Sequence, residues 1–103
     1  MSHALILAAC PTKESAKTIA SKLVEERLAA CVQMLPIDSV YLWQGRICDG
    51  SETLLLIKSK AERFEAISAQ IQALHPYEVP EIILLPITDG LPSYLAWIDN
   101  CTK

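Results

Sequence analysis

Glycine is scarce in this sequence, with three in 103 residues. There is no G-x-G-x-x-G, no P-loop and no G-x-S-x-G. The glycine-dependent turns that cradle nucleotides or present a serine nucleophile are therefore missing. Positive charge is thin as well. Nine Lys and Arg stand against twelve Asp and Glu, for a net charge of −3, and the basic residues never cluster beyond Lys58, Lys60 and Arg63. A phosphate-tracking surface needs a basic stripe, so no nucleic-acid partner is expected. An RNA-recognition sheet would also need stacking aromatics on its third strand, and Thr53–Ser59 has none. A membrane span needs ~20 apolar residues in a row. No uncharged stretch is longer than Met1–Thr12, and it includes His3, Cys10 and Pro11. No Lys or Arg precedes Lys13, so an export signal is not expected. The cysteines Cys10, Cys31, Cys48 and Cys101 include no C-x-x-C pair. A reducing compartment and free thiols follow as the expectation.

What the chain has in excess is apolar surface. It is 51% hydrophobic, with a mean hydropathy of +0.28. A small domain has much surface per volume and should be more polar than average. With a membrane set aside, a partner that covers apolar surface is the better explanation.

The pattern along the chain is βαββαβ with a short terminal helix, and residues 1–103 read as a single domain. His3–Cys10 is apolar at both alternating sets of positions, which predicts a strand buried on both faces. Thr12 can cap a helix that runs to about Ala29, with Ala16, Ile19, Ala20, Leu23, Val24 and Leu28 on one face. Cys31–Cys48 reads as a long extended segment interrupted by Pro36, and Asp49-Gly50 as the hairpin turn. Glu52–Ser59 is the return strand. Ser59-Lys60-Ala61-Glu62 fits a capping box for a second helix, which stops at His75 because Pro76 follows. Pro80–Thr88 is the last strand, and Pro92 opens a helix that buries Tyr94, Leu95, Trp97 and Ile98.

Each βαβ crossover is right-handed and joins parallel strands. The two strands without interior proline belong in the centre, and the two with proline belong at the edges. The result is an α+β ferredoxin-like sandwich with sheet order 4-1-3-2 and a long hairpin between strands two and three. Helices cover one face of such a sheet, yet strands one, three and four are apolar on both. Cys31–Cys48 fully extended would span ~60 Å, so the hairpin bends at Pro36, projects as an arm, or both. An arm carrying Tyr41 and Trp43 suits a neighbouring subunit, and a closed homo-oligomer with inward-packed sheets is predicted.

The densest polar cluster is His75-Pro76-Tyr77-Glu78-Val79-Pro80-Glu81. His75 could bind a metal or shuttle a proton, with Glu78 or Glu81 as its orienting partner. The plainer reading is a histidine at a helix C-terminus in a rigid turn. Cys10 precedes a helix N-terminus, which lowers a thiol's pKa, and could be a soft-metal ligand; a lone buried strand cysteine is the commoner case.

Five segments together resemble the CutA family of divalent-cation tolerance proteins. They are Glu26-Arg27-Leu28-Ala29-Ala30-Cys31-Val32, Tyr41-x-Trp43-x-Gly45, the Glu52–Lys58 strand, His75-Pro76-Tyr77-Glu78-Val79-Pro80-Glu81-Ile82, and Tyr94-Leu95-x-Trp97-Ile98. The resemblance implies a cytoplasmic homotrimer of ferredoxin-like subunits, built like the PII signalling proteins. It implies a role in tolerance to copper and other divalent cations, and brings no enzyme activity with it. His75 matches the family's histidine before Pro-Tyr, while Leu74 stands where a second histidine can occur. The first-strand cysteine position falls on Ala8, and Cys10, two residues later on the same strand face, takes its place as a candidate ligand. A PII-like cleft between subunits would gather Arg27, Tyr41, Trp43, Lys58, Tyr77 and Glu78 beside His75. Three functions stay open at this point: a metal-responsive trimer with a copper site at His75 and Cys10, a PII-like small-molecule sensor, and an enzyme using His75 and Glu78 as acid and base.

Overall fold

The structure, a computed structural model, describes residues 2–103. Its elements are β1 (His3–Cys10), α1 (Lys13–Glu25), β2 (Cys31–Trp43), β3 (Arg46–Lys60), a 3-10 turn (Ala61–Arg63), α2 (Phe64–Leu74), β4 (Ile82–Ile87) and α3 (Pro92–Cys101). The sheet runs β2-β3-β1-β4, which is the expected order 4-1-3-2 seen from the other edge. β1 pairs antiparallel with β3 on one side and β4 on the other. The proline-bearing strands are the edges. β2 continues through Pro36, opposite Thr53, without a break. An edge strand has a ladder on one side only, so half of its N–H groups have no partner to lose.

Ile6, Ala8 and Cys10 of β1 and Leu55 and Ile57 of β3 together meet Ile19 and Leu23 of α1 and Ile67 and Ile71 of α2. This is the main core. Thr12 caps α1 as expected, its hydroxyl accepting from the Ser15 N–H. The helix ends four residues before the expected Ala29. Arg27 turns to φ +57, its N–H donates to the Val24 carbonyl, and the Leu28 N–H reaches back to the Leu23 carbonyl. That is a Schellman stop, and it uses an arginine where glycine is usual. The Ser59 capping box does not form. Ser59 is buried and still in β3, and its hydroxyl donates to the Leu28 carbonyl. α2 instead starts through the 3-10 turn with no side-chain cap.

The hairpin turn is at Gln44-Gly45, with φ of +51 and +77, and not at Asp49-Gly50. Asp49 pairs with Val40 and Gly50 with Ser39, inside the ladder. The turn chemistry of Asp-Gly lost to register: moving the turn five residues earlier lengthens β3 to fifteen residues and lets all of β2 pair. The arm therefore projects. The longest dimension is 44 Å and the radius of gyration 14.0 Å, against ~13 Å for a compact chain of this size.

The second sheet face carries Leu5, Leu7, Leu54, Leu56, Ile83 and Leu85, none of them fully buried. α3 covers only its His3–Lys60 end. His3 Nε2 lies 3.0 Å from the Asp99 carboxylate and Lys60 Nζ donates to the Thr102 carbonyl at 3.3 Å. Of the four α3 residues expected to be buried, Ile98 is; Leu95 is half-buried, and Tyr94 and Trp97 are exposed, stacked on each other with centroids 5.5 Å apart. A ten-residue helix at one end of a sheet has a single stripe to bury.

The turn position has a direct test. Gly45→Ala should lower stability by about 1 kcal/mol, because the position needs positive φ. Gly50→Ala meets open space at ordinary φ and should be neutral or slightly stabilising in urea unfolding. The opposite ranking would put the turn back at Asp49-Gly50.

Candidate functional site

The site is built where α2 gives way to β4. Pro76 cannot continue the helix, so His75 leaves it at φ −81, ψ 135. That swings the His75 ring under the sheet edge, where it is buried. Nε2 lies 2.6 Å from the Ala9 carbonyl, and the Tyr77 backbone N–H donates to Nδ1 at 3.0 Å. A backbone N–H can only donate, so Nδ1 offers its lone pair and Nε2 carries the proton that Ala9 accepts. The two partners thus select one tautomer and occupy both ring nitrogens.

His75 in turn fixes Tyr77. The two rings lie 4.8 Å apart at 52°, and the Tyr77 hydroxyl donates to Glu52 Oε2 on β3 at 3.0 Å. Burial, the hydrogen bond to Glu52 and the negative charge of Glu52 push the Tyr77 phenol up to about 12. Burial, with Glu52 again contributing, pushes the Cys10 thiol up to about 11.

Between this loop and the β2–β3 arm lies a cleft of about 780 Å³. Tyr41 and Trp43 form one wall, Tyr77 and Glu78 the other, with Glu52 and Ala9 at the base. Four of the expected cleft residues, Tyr41, Trp43, Tyr77 and Glu78, thus come together within one chain. Arg27 and Lys58 do not join them. Arg27 Nη2 donates to the Asn100 carbonyl and its own carbonyl accepts from the Lys103 N–H, tying the end of α1 to the C-terminus. Lys58 donates to the Gln33 side chain, six positions along β3 from Glu52, or roughly 20 Å. Glu52 is the residue that reasoning from motifs passed over. It belonged to a strand whose apolar centre drew attention, and only register places it opposite the Tyr77 loop.

His75 and Cys10 as placed do not fit a copper ion. Imidazole binds metal through a free ring lone pair, and a thiol binds as thiolate. Here the lone pair is taken, and the thiol is fully buried and holds its proton more tightly than usual. Among the described residues no three His, Cys, Asp or Glu side chains are grouped closely enough to hold a metal ion.

The Tyr77–Glu52 contact predicts an alkaline transition. The folded phenol keeps its proton above the ordinary value of 10.0. Stability from this group is therefore full below pH ~10 and lost as pH rises toward ~12. Phenolate absorbance, taken as the difference between the parent protein and Tyr77→Phe, should show a midpoint near 12. Glu52→Gln should bring it part of the way down, because burial remains. A midpoint at 10 in the parent protein would show that the contact does not form in solution.

Known proteins are similar to this chain in sequence and fold. The family described as CutA1 divalent ion tolerance protein matches residues 4–101. The divalent-cation tolerance protein CutA of Thermus thermophilus is 47% identical over 99 residues, covering 95% of this chain and 96% of its own. A CutA homolog of Danio rerio is 44% identical over 93% of this chain, which spans 65% of that longer relative. The solved structure described as the periplasmic divalent cation tolerance protein CutA from Archaeoglobus fulgidus superimposes with a TM-score of 0.96 at 37% identity, covering 98% of this chain and 99% of its own. Nearly every element described above lies within the matched region, and the chain belongs to the CutA1 divalent ion tolerance protein family.

Proposed function

We propose that this chain acts as a cytoplasmic homotrimer that contributes to divalent-cation tolerance, copper included, without catalysing a reaction. The cation-tolerance role follows the names of its relatives. The assembly rests on one observation: the second sheet face and the arm leave large apolar side chains in water. On the arm, Val40 is 75% exposed, Leu42 70% and Ile47 82%. Fully burying one such side chain is worth about 1.5–3 kcal/mol. Arm and sheet face are different surfaces. A contact of one subunit's arm with the next subunit's face that is not returned by the same neighbour is heterologous, and where its rotation closes it makes a ring, of which three is the smallest. Four unpaired thiols suit a reducing compartment, and no helix among the described residues is long and apolar enough to cross a membrane. The non-catalytic reading is supported by His75, whose ring nitrogens are both committed to the backbone.

A second reading, a PII-like sensor of a small molecule, is favoured by the cleft at Tyr41, Trp43, Tyr77 and Glu78. In a ring, a neighbouring subunit would be the means of bringing Arg27 and Lys58 to it. A copper site at His75 and Cys10 has less support, since the ring would have to release both hydrogen bonds and the thiol to ionise inside the core.

Light scattering should give three times the chain mass of 11.4 kDa, and Leu56→Glu on the second face should shift it toward one; a parent protein that runs as a monomer overturns the assembly. His75→Ala should lower stability by about 1–3 kcal/mol through its two lost buried hydrogen bonds. Copper affinity by calorimetry should be the same in His75→Ala as in the parent protein. A large fall in affinity in that folded variant, or in Cys10→Ala, would restore the Cys/His copper site.

A further inference from the structure

We infer that the cleft between the arm and the His75–Pro80 loop binds an organic cation of the alkylammonium class. The inference rests on the small-molecule reading of that cleft and adds the chemistry of its ligand. Three aromatic rings line it, from Tyr41, Trp43 and Tyr77, together with the carboxylates of Asp38, Glu52, Glu78 and Glu81. No Lys, Arg or His is part of the lining, and neither Glu78 nor Glu81 is ion-paired among the described residues. The cleft is thus a negative cavity with π faces, the combination that attracts a diffuse, weakly hydrated cation.

Geometry separates this ligand from a metal ion. About 780 Å³ is the size of a small-molecule cleft and far more than one ion needs. Its carboxylates are not gathered into a set of three ligands. Tyr41 and Trp43 are two apart on one strand, so their rings leave the same face roughly 7 Å apart. Tyr77 opposes them and is held in three ways: backbone N–H to His75, ring against ring, and hydroxyl to Glu52. A wall fixed before binding has little ordering left to do when a ligand arrives. The negative charge of Glu52 is felt by two neighbouring groups, since it helps raise both the buried Cys10 thiol and the Tyr77 phenol.

The test is calorimetry on the assembled protein with choline chloride, with choline's uncharged carbon isostere and, separately, with ATP. Choline should bind saturably, and the isostere about 3- to 30-fold more weakly, the range that a cation–π contribution supplies. Glu78→Gln combined with Glu81→Gln, both exposed and outside the core, should weaken choline several-fold and flatten its salt dependence. Trp43→Ala should weaken it as well. Equal affinity for the neutral isostere, or unchanged choline affinity in the Glu78/Glu81 double variant, overturns the alkylammonium assignment. ATP binding without choline binding overturns it but leaves the small-molecule reading standing. Binding of neither ends both.

Discussion

A four-stranded sheet with its main helices on one side has apolar side chains to bury on two. The central pair β1 and β3 sets this constraint, because register places Leu7 opposite Leu56, and Ala9 opposite Leu54, on the face that α1 and α2 do not reach. β4 extends the same face, with Ile83 opposite Leu7 and Leu85 opposite Leu5. The chain resolves part of the problem internally. α3 folds back over the His3–Lys60 end, held by Asp99 and the Thr102 carbonyl, and buries Ile98 apart from the main core. In the proposed assembly, a second chain covers the rest of the face. An apolar excess that would be anomalous in a monomer becomes an ordinary requirement of assembly.

Next to that face, one imidazole organises the ligand cleft. His75 sits where Pro76 forces the chain out of α2, and its two nitrogens connect the β1 backbone to the Tyr77 backbone. Tyr77 then reaches Glu52 on β3. A path of four residues runs from a helix end through two strands, and each step is a hydrogen bond of ordinary length or a ring contact. The histidine that most resembles a metal ligand by its neighbours therefore acts as a positioning residue. Its chemistry is spent on two backbone groups, and the side chains that face open space are the aromatics and carboxylates it holds in place.

The fold was legible because proline and two-faced apolar runs mark edge and centre. Strand order followed from the right-handed crossovers, the two proline-free apolar strands and the prolines of the other two, and the structure reproduces it. What escaped was local punctuation under tertiary competition. Asp49-Gly50 is the stronger turn pair by propensity, yet the longer ladder from Gln44-Gly45 gains pairing along the whole arm. Ser59 had the sequence of a helix cap, but its hydroxyl found the Leu28 carbonyl in the core. Arg27 ends α1 without glycine because both its side chain and its carbonyl are used at the C-terminus. In the site, the aromatics and Glu78 were legible from their motifs. Glu52 was not, since only the register of a strand twenty-five residues away brings it to Tyr77.

The proposed assembly and the proposed ligand cleft share parts, and that sharing has a thermodynamic consequence. Tyr41 and Trp43 lie on the arm, on the same side of the sheet as the face left for a neighbouring subunit. Leu54 adjoins Glu52 at the base of the cleft, two positions along the same side of β3. Any contact that orders the arm also sets the distance between the Tyr41–Trp43 wall and the Tyr77 wall. The opposite wall does not move with it, because His75 fixes Tyr77 to β1 and Glu52 within the chain. A ligand that spans both walls must then favour the arm position that the assembly favours, or oppose it. By linkage the coupling has the same magnitude in both directions: a ligand that tightens the ring is bound more tightly by the ring than by a free subunit. In the proposed assembly, a cleft with one rigid wall and one wall on the arm that meets the neighbour would read a small molecule through its state of assembly, with the movement confined to the arm.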